Sequence, residues 1–300
     1  MRTPEYLQKG DKIALVATAR KISMSEIENS IKEFKKWGLE VMLGKNILKE
    51  NNQFAGNDIE RADDFQNMLD DDSIKAIICV RGGYGSVRII DNIDFSNFFK
   101  KPKWICGYSD ITVFHSHINK NFGIETLHSV MPINFSDKKI TKETYDSFKA
   151  ALFGEEISYQ LELSEFCRKG FCEAEIIGGN LSILYSLIGT KSDISTDSKI
   201  LFIEDLDEYL YHIDRMIMNL KRAGKLNNIA GLIVGGMSEM NDNEIPFGKT
   251  AKEIISEAVS EYNYPVCFDF PAGHINDNRA LILGRKVRLE VGDNVLLKFE

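Results

Sequence analysis

Apolar positions in the first 120 residues fall into short runs separated by stretches of helical period. Residues 12–17 read as a strand, 25–37 as a helix stopped by Gly38, and 39–43 as a second strand. Residues 58–69 are helical, with acidic side chains in the first turns, where the helix dipole favours them. Residues 74–80 form a nearly unbroken apolar run, the pattern of a strand covered on both faces of a parallel sheet. A glycine loop, a short helix near 86–91, a strand at 104–106 and an amphipathic stretch to about residue 119 follow. Alternation of this kind predicts a parallel sheet with helices on both faces.

The pattern breaks between about 137 and 169, where short charged segments suggest a linker. Beyond it the elements mix. Residues 178–188 read as a helix entered through Gly178-Gly179-Asn180, 199–203 as a strand, and 209–220 as an amphipathic helix capped by Gly224. A strand at 230–234, a helix at 251–262 and a strand at 266–270 precede a closing hairpin that turns at Gly292-Asp293-Asn294. The expected class is α/β: an N-terminal parallel-sheet, flavodoxin- or Rossmann-like three-layer domain (1–140), a linker (141–170) and a smaller mixed α/β domain (171–300).

Composition narrows the function classes. A net charge of −8 disfavours nucleic acid as the main partner. No apolar run approaches the ~20 residues of a membrane span, and the polar start, with Glu5, does not read as a secretory signal. Five cysteines, an odd number, fit a reduced compartment, so a cytoplasmic location is expected and the thiols read as small hydrophobes. Neither a metal set nor a cofactor fingerprint is found.

Chemistry gathers at strand ends. Gly107-Tyr108-Ser109-Asp110 joins a buried strand to a helix, the setting in which a sharp turn presents a nucleophilic hydroxyl. On the residue pattern alone Ser109 reads first as an N-cap, because Ile111 stands where the G-x-S-x-G pattern has its second glycine; Gly107 before the turn shifts the reading towards a nucleophile. Arg81-Gly82-Gly83-Tyr84-Gly85 is either a tight turn or an anion-binding nest, with the Gly83 N–H as an oxyanion donor beside that of Asp110. Glu204 continues an apolar strand, unlike the solvated Asp207 and Glu208 that follow. His274 follows Pro271-Ala272-Gly273 in a turn, whereas His115, His117, His128 and His212 read as packing or surface residues. A non-catalytic small-anion binder is the competing class.

Taken in order, these motifs, with Gly178-Gly179-Asn180-Leu181 and Phe202-Ile203-Glu204-Asp205, resemble the LD-carboxypeptidase family of serine peptidases, which includes the microcin-immunity peptidases. The resemblance runs from Gly10-Asp11-Lys12-Ile13 to the final hairpin. It implies a Ser-His-Glu triad on Ser109, His274 and Glu204, and an oxyanion hole from the backbone of Gly83 and Asp110. The serine would lie in the N-terminal domain and its two partners in the C-terminal one, often within a homodimer. The implied substrate is a murein tetrapeptide, from which a terminal D-alanine is released in the cytoplasm without a cofactor; a peptidyl-nucleotide is the alternative. Arg81, Asn180 and Arg279 are candidate partners for the terminal carboxylate. The chain departs from the family at Ala17-Thr18-Ala19-Arg20, where many members read Ala-Pro-Ser, so a substrate contact in that loop does not carry over.

Overall fold

The computed structural model describes residues 1–300. Strands β1 (Lys12–Val16), β2 (Glu40–Leu43), β3 (Ile74–Cys79), β4 (Trp104–Gly107) and β5 (Thr126–His128) are all parallel and lie in the order 2-1-3-4-5. This is the flavodoxin-like order, with its switch point between β1 and β3, and such sheets bind ligands outside the carboxyl ends of their strands. The expected apolar strand is β3, of which five residues are buried.

The second sheet contains β6 (Ser158–Glu162), β7 (Gly170–Asn180), β8 (Ile200–Leu206), β9 (Gly231–Ser238), β10 (Val266–Cys267), β12 (Lys286–Val291) and β13 (Asn294–Phe299) in the order 10-9-8-7-12-13-6. Strand β7 joins its two halves. Residues 170–175 pair antiparallel with β12, and residues 176–180 pair parallel with β8. Strand β11 (Leu281–Leu283) leaves this half of the chain and completes the first sheet, antiparallel to β5. One apolar core accordingly runs from Ile13 and Leu15 through Cys106 to Phe202, Ile233 and Leu281.

Three local readings differ from the sequence expectation. The segment read as linker forms the helix Lys142–Phe153 and strand β6 at the sheet edge. The segment read as a helix from 178 ends strand β7, and the helix is Leu181–Leu187. The strand read at 266–270 ends at Cys267.

The halves are tied where function was expected. The Asn180 N–H, at the end of β7, donates to Thr112 Oγ1 at 3.0 Å, three residues beyond Ser109. Arg285 donates to Glu125 across the same junction, with both side chains largely buried.

Candidate active site

Strand β4 ends at Gly107, Tyr108 is extended, and Ser109 takes φ +64°, the left-handed region that a non-glycine residue enters at a cost of about 1–3 kcal/mol. The chain then turns through Ser109–Ile111 into the helix Thr112–Phe122. The elbow is braced from beneath: Asp110 is buried and its Oδ2 accepts the Ser86 N–H at 2.8 Å, just after the glycine loop. Burial raises the Asp110 carboxyl above its ordinary value, although Ser86 and Arg61 oppose the shift. Gly82 lies against the serine. A Cβ there would sit 3.0 Å from Ser109 Cβ, 3.1 Å from Oγ and 3.4 Å from the Asp110 nitrogen.

Glu204 is wholly buried within β8, two residues before its end and in register with Asn180. Its Oε2 accepts from His274 twice, at 2.7 Å from Nδ1 and 3.1 Å from the backbone N–H. This double contact requires Gly273, whose φ is +104° and where a Cβ would fall 2.6 Å from the same carboxylate oxygen. Burial alone would raise the Glu204 carboxyl, but the His274 imidazole, by charge and hydrogen bonding, holds it below its ordinary value. Burial likewise disfavours the imidazolium, yet Glu204 outweighs it and raises His274 above 6.5. Three other histidines, His117 among them, move the opposite way. Burial drives His115 to about 3 and His128 to about 4, so both are neutral at neutral pH.

The loop carrying His274 is held by the helix Lys142–Phe153. Thr144 Oγ1 accepts the Asn278 N–H at 2.8 Å and Ser147 Oγ accepts the Ala280 N–H at 3.0 Å. Asn278 Oδ1 in turn accepts the Gly273 N–H at 2.8 Å. The supposed linker is therefore part of the scaffold of the site.

Ser109, His274, Gly83, Arg81 and Asn180 line one open cleft of about 680 Å³ between the two sheets. The Tyr108 ring packs 4.8 Å from that of His274, centroid to centroid, across the junction. Glu204 uses His274 Nδ1 and so leaves Nε2 as the ring nitrogen for the cleft. Ser109 and His274 share this wall without a hydrogen bond between them.

The three side chains expected at a carboxylate have different fates. Arg81 donates to the Lys21 carbonyl at 3.1 Å and lies 3.7 Å from Glu26. The Asn180 amide donates to Asp205 Oδ1 at 2.9 Å, and its oxygen caps the helix Leu181–Leu187 through the Ile183 N–H. Arg279 stands outside the cleft, because Asp277 two residues earlier holds its guanidinium at 2.8 Å and Tyr159 lies beneath it. Two cleft residues were given no role in the sequence analysis. Arg20 lines it from the loop after β1. Asp205, which accepts from Asn180 and Ser182, is raised to about 7 by burial and by the charge of Glu204.

Both halves of the chain resemble known proteins. Residues 13–129 match the LD-carboxypeptidase N-terminal domain and residues 173–289 match the LD-carboxypeptidase C-terminal domain. The chain belongs to the LD-carboxypeptidase family. It is a peptidase of that family, with the expected two-part α/β architecture. It is 35% identical to a probable murein peptide carboxypeptidase of Bacillus subtilis, over 97% of this chain and 92% of that one. It is 25% identical to a murein tetrapeptide carboxypeptidase of Pseudomonas aeruginosa, over 93% of each. The crystal structure of muramoyltetrapeptide carboxypeptidase from Oxalobacter formigenes superposes with a TM-score of 0.88 at 27% identity, covering 96% of this chain and 98% of that chain. The microcin C7 self-immunity protein shares the fold, with a TM-score of 0.89 at 22% identity over 99% of this chain and 98% of its own.

Proposed function

We propose that this LD-carboxypeptidase family member is a serine-type enzyme that removes the terminal D-alanine of murein tetrapeptides through an acyl-enzyme. The observation that carries the reading is the buried Glu204–His274 pair opening onto the cleft that also holds Ser109 on a left-handed elbow.

In this reading His274 Nε2 accepts the Ser109 proton as Oγ attacks the carbonyl of the L-centre. Glu204 fixes the tautomer with Nδ1–H and stabilises the imidazolium that forms. The N–H groups of Gly83 and Asp110 receive the oxyanion, a contribution of about 3–4 kcal/mol per donor. His274 then gives its proton to the leaving amine of D-alanine. Water, deprotonated by the same imidazole, releases the tripeptide from Ser109. The Ser109–His274 hydrogen bond forms when substrate closes the cleft, since such contacts are often loose in a free enzyme.

The names borne by the relatives in Bacillus, Pseudomonas and Oxalobacter support murein peptides as the substrate class. The test is release of free D-alanine from a purified tetrapeptide. Wild type should release it and Ser109→Ala should not, with unchanged thermal melting; equal turnover by the variant would refute the assignment.

A further inference from the structure

A carboxypeptidase differs from an endopeptidase in recognising a free carboxylate one residue beyond the scissile bond. The cleft has two arginines, and they are not equivalent. The Arg81 guanidinium is occupied by the Lys21 carbonyl and Glu26. Arg20 pairs with no carboxylate or carbonyl of the protein and is exposed at the cleft wall.

Its position is fixed by the backbone. The loop after β1 is stitched to residues 53–55: Ala55 N–H donates to Ala19 O at 3.0 Å, and Lys21 N–H to Gln53 O at 2.9 Å. From there the Arg20 side chain lies across Gly83. A Cβ on that glycine would come within 2.6–2.7 Å of Arg20 Cδ, Cγ and Nε. The loop after β1 and the loop after β3 meet here because β1 and β3 are adjacent at the switch point. The cleft also carries Asp207 and Glu208, which repel an anion.

We propose that Arg20 is the carboxylate subsite of the cleft, binding the free α-carboxylate of the departing residue. The inference rests on the hydrolase reading above. Gly83 is expected to contact the scissile carbonyl oxygen, and the α-carboxylate of the next residue is one Cα further on. The guanidinium lying over Gly83 is therefore the cation at the right remove, and its planar fork suits a carboxylate. A glycine at position 83 is thus needed for this packing as well as for its own N–H.

The experiment compares kcat/KM for a tetrapeptide ending in D-alanine with that for the same peptide ending in D-alaninamide. It uses wild type, Arg20→Gln, Arg20→Lys and Arg81→Gln. Wild type prefers the free acid. Arg20→Gln loses roughly 10- to 100-fold on the acid, chiefly through KM, so the acid-over-amide preference collapses; Arg20→Lys restores part of it. The preference surviving in Arg20→Gln, or collapsing in Arg81→Gln instead, overturns the assignment while leaving the hydrolase reading in place. Wild type turning over neither peptide overturns both. Unchanged thermal melting of Arg20→Gln, expected for an exposed side chain, confirms that the comparison reads recognition rather than folding.

Discussion

Replacing Glu204 with Gln tests the electrostatics of the site most sharply. The carboxylate accepts two hydrogen bonds on Oε2, and its Oε1 has no partner. A glutamine oxygen can keep both bonds, which leaves its NH2 in the unpartnered position at a cost of about 1–3 kcal/mol in stability. The tautomer of His274 is then preserved while the charge is lost. An opposite charge at this distance shifts a pKa by roughly 1–3 units, each worth about 1.4 kcal/mol. The imidazolium formed during attack is destabilised by that amount, so kcat/KM should fall about 10- to 1,000-fold. The sign of the pH effect is fixed as well. Attack requires neutral His274, whose pKa is raised above 6.5, so the wild-type rate climbs with pH through a value above 6.5. In the variant burial meets only the smaller opposing charges of Asp205 and Glu239, and the acid limb moves to lower pH. D-alanine release measured from about pH 5 to 9 reads both effects. An acid limb that stays in place or moves upward would show that Glu204 does not set the His274 charge.

Gly82→Ala should cost on the order of 100-fold in kcat with little change in melting, because the new methyl at 3.1 Å from Ser109 Oγ displaces the hydroxyl; D-alanine release with melting as control checks this. The double variant Glu204→Gln/His274→Gln removes the pair without leaving a buried charge unpaired. Glu204 is lowered on folding, so its contribution fades as pH falls through its folded value, while that of raised His274 fades as pH rises through its own. The urea-midpoint difference between wild type and double variant should therefore be widest between pH 4.5 and 6.5 and narrow on both sides. Cys167 departs from the small-hydrophobe reading. The neighbouring Cys267 thiol and the Phe268 N–H, which donates to Cys167 Sγ at 3.2 Å, lower it to about 6 in spite of burial, while burial raises Cys79 to about 12. Brief alkylation at neutral pH followed by peptide mapping should modify Cys167 first.

Much of the fold is visible in the sequence because parallel strands buried on both faces leave unbroken apolar runs, as Ile74–Cys79 does. The candidate triad positions are visible for a related reason: each follows an apolar element closely and interrupts it with a polar group. The misread segments have specific causes. The helix Lys142–Phe153 buries Thr144 and Ser147 on the face where apolar residues are sought, because their hydroxyls hold the His274 loop. Strand β7 changes from an antiparallel to a parallel neighbour midway, so no single period describes it. Strand β11 is three residues whose pairing partner lies far back in the chain. Arg279 is close to His274 in sequence, but Asp277 is closer to Arg279 in space. The sequence carries no sign that Arg20 lies over Gly83, because that contact depends on how the loops after β1 and β3 pack together.

The central claim is that Ser109 carries the acyl group. Mixing the enzyme with tetrapeptide, quenching in acid within the first turnovers and mapping the peptides by mass spectrometry tests it directly. The account predicts a tripeptidyl ester on the peptide containing Ser109, absent in Ser109→Ala and depleted when His274 is replaced. D-alanine release with no adduct at Ser109, and undiminished in Ser109→Ala, would contradict it.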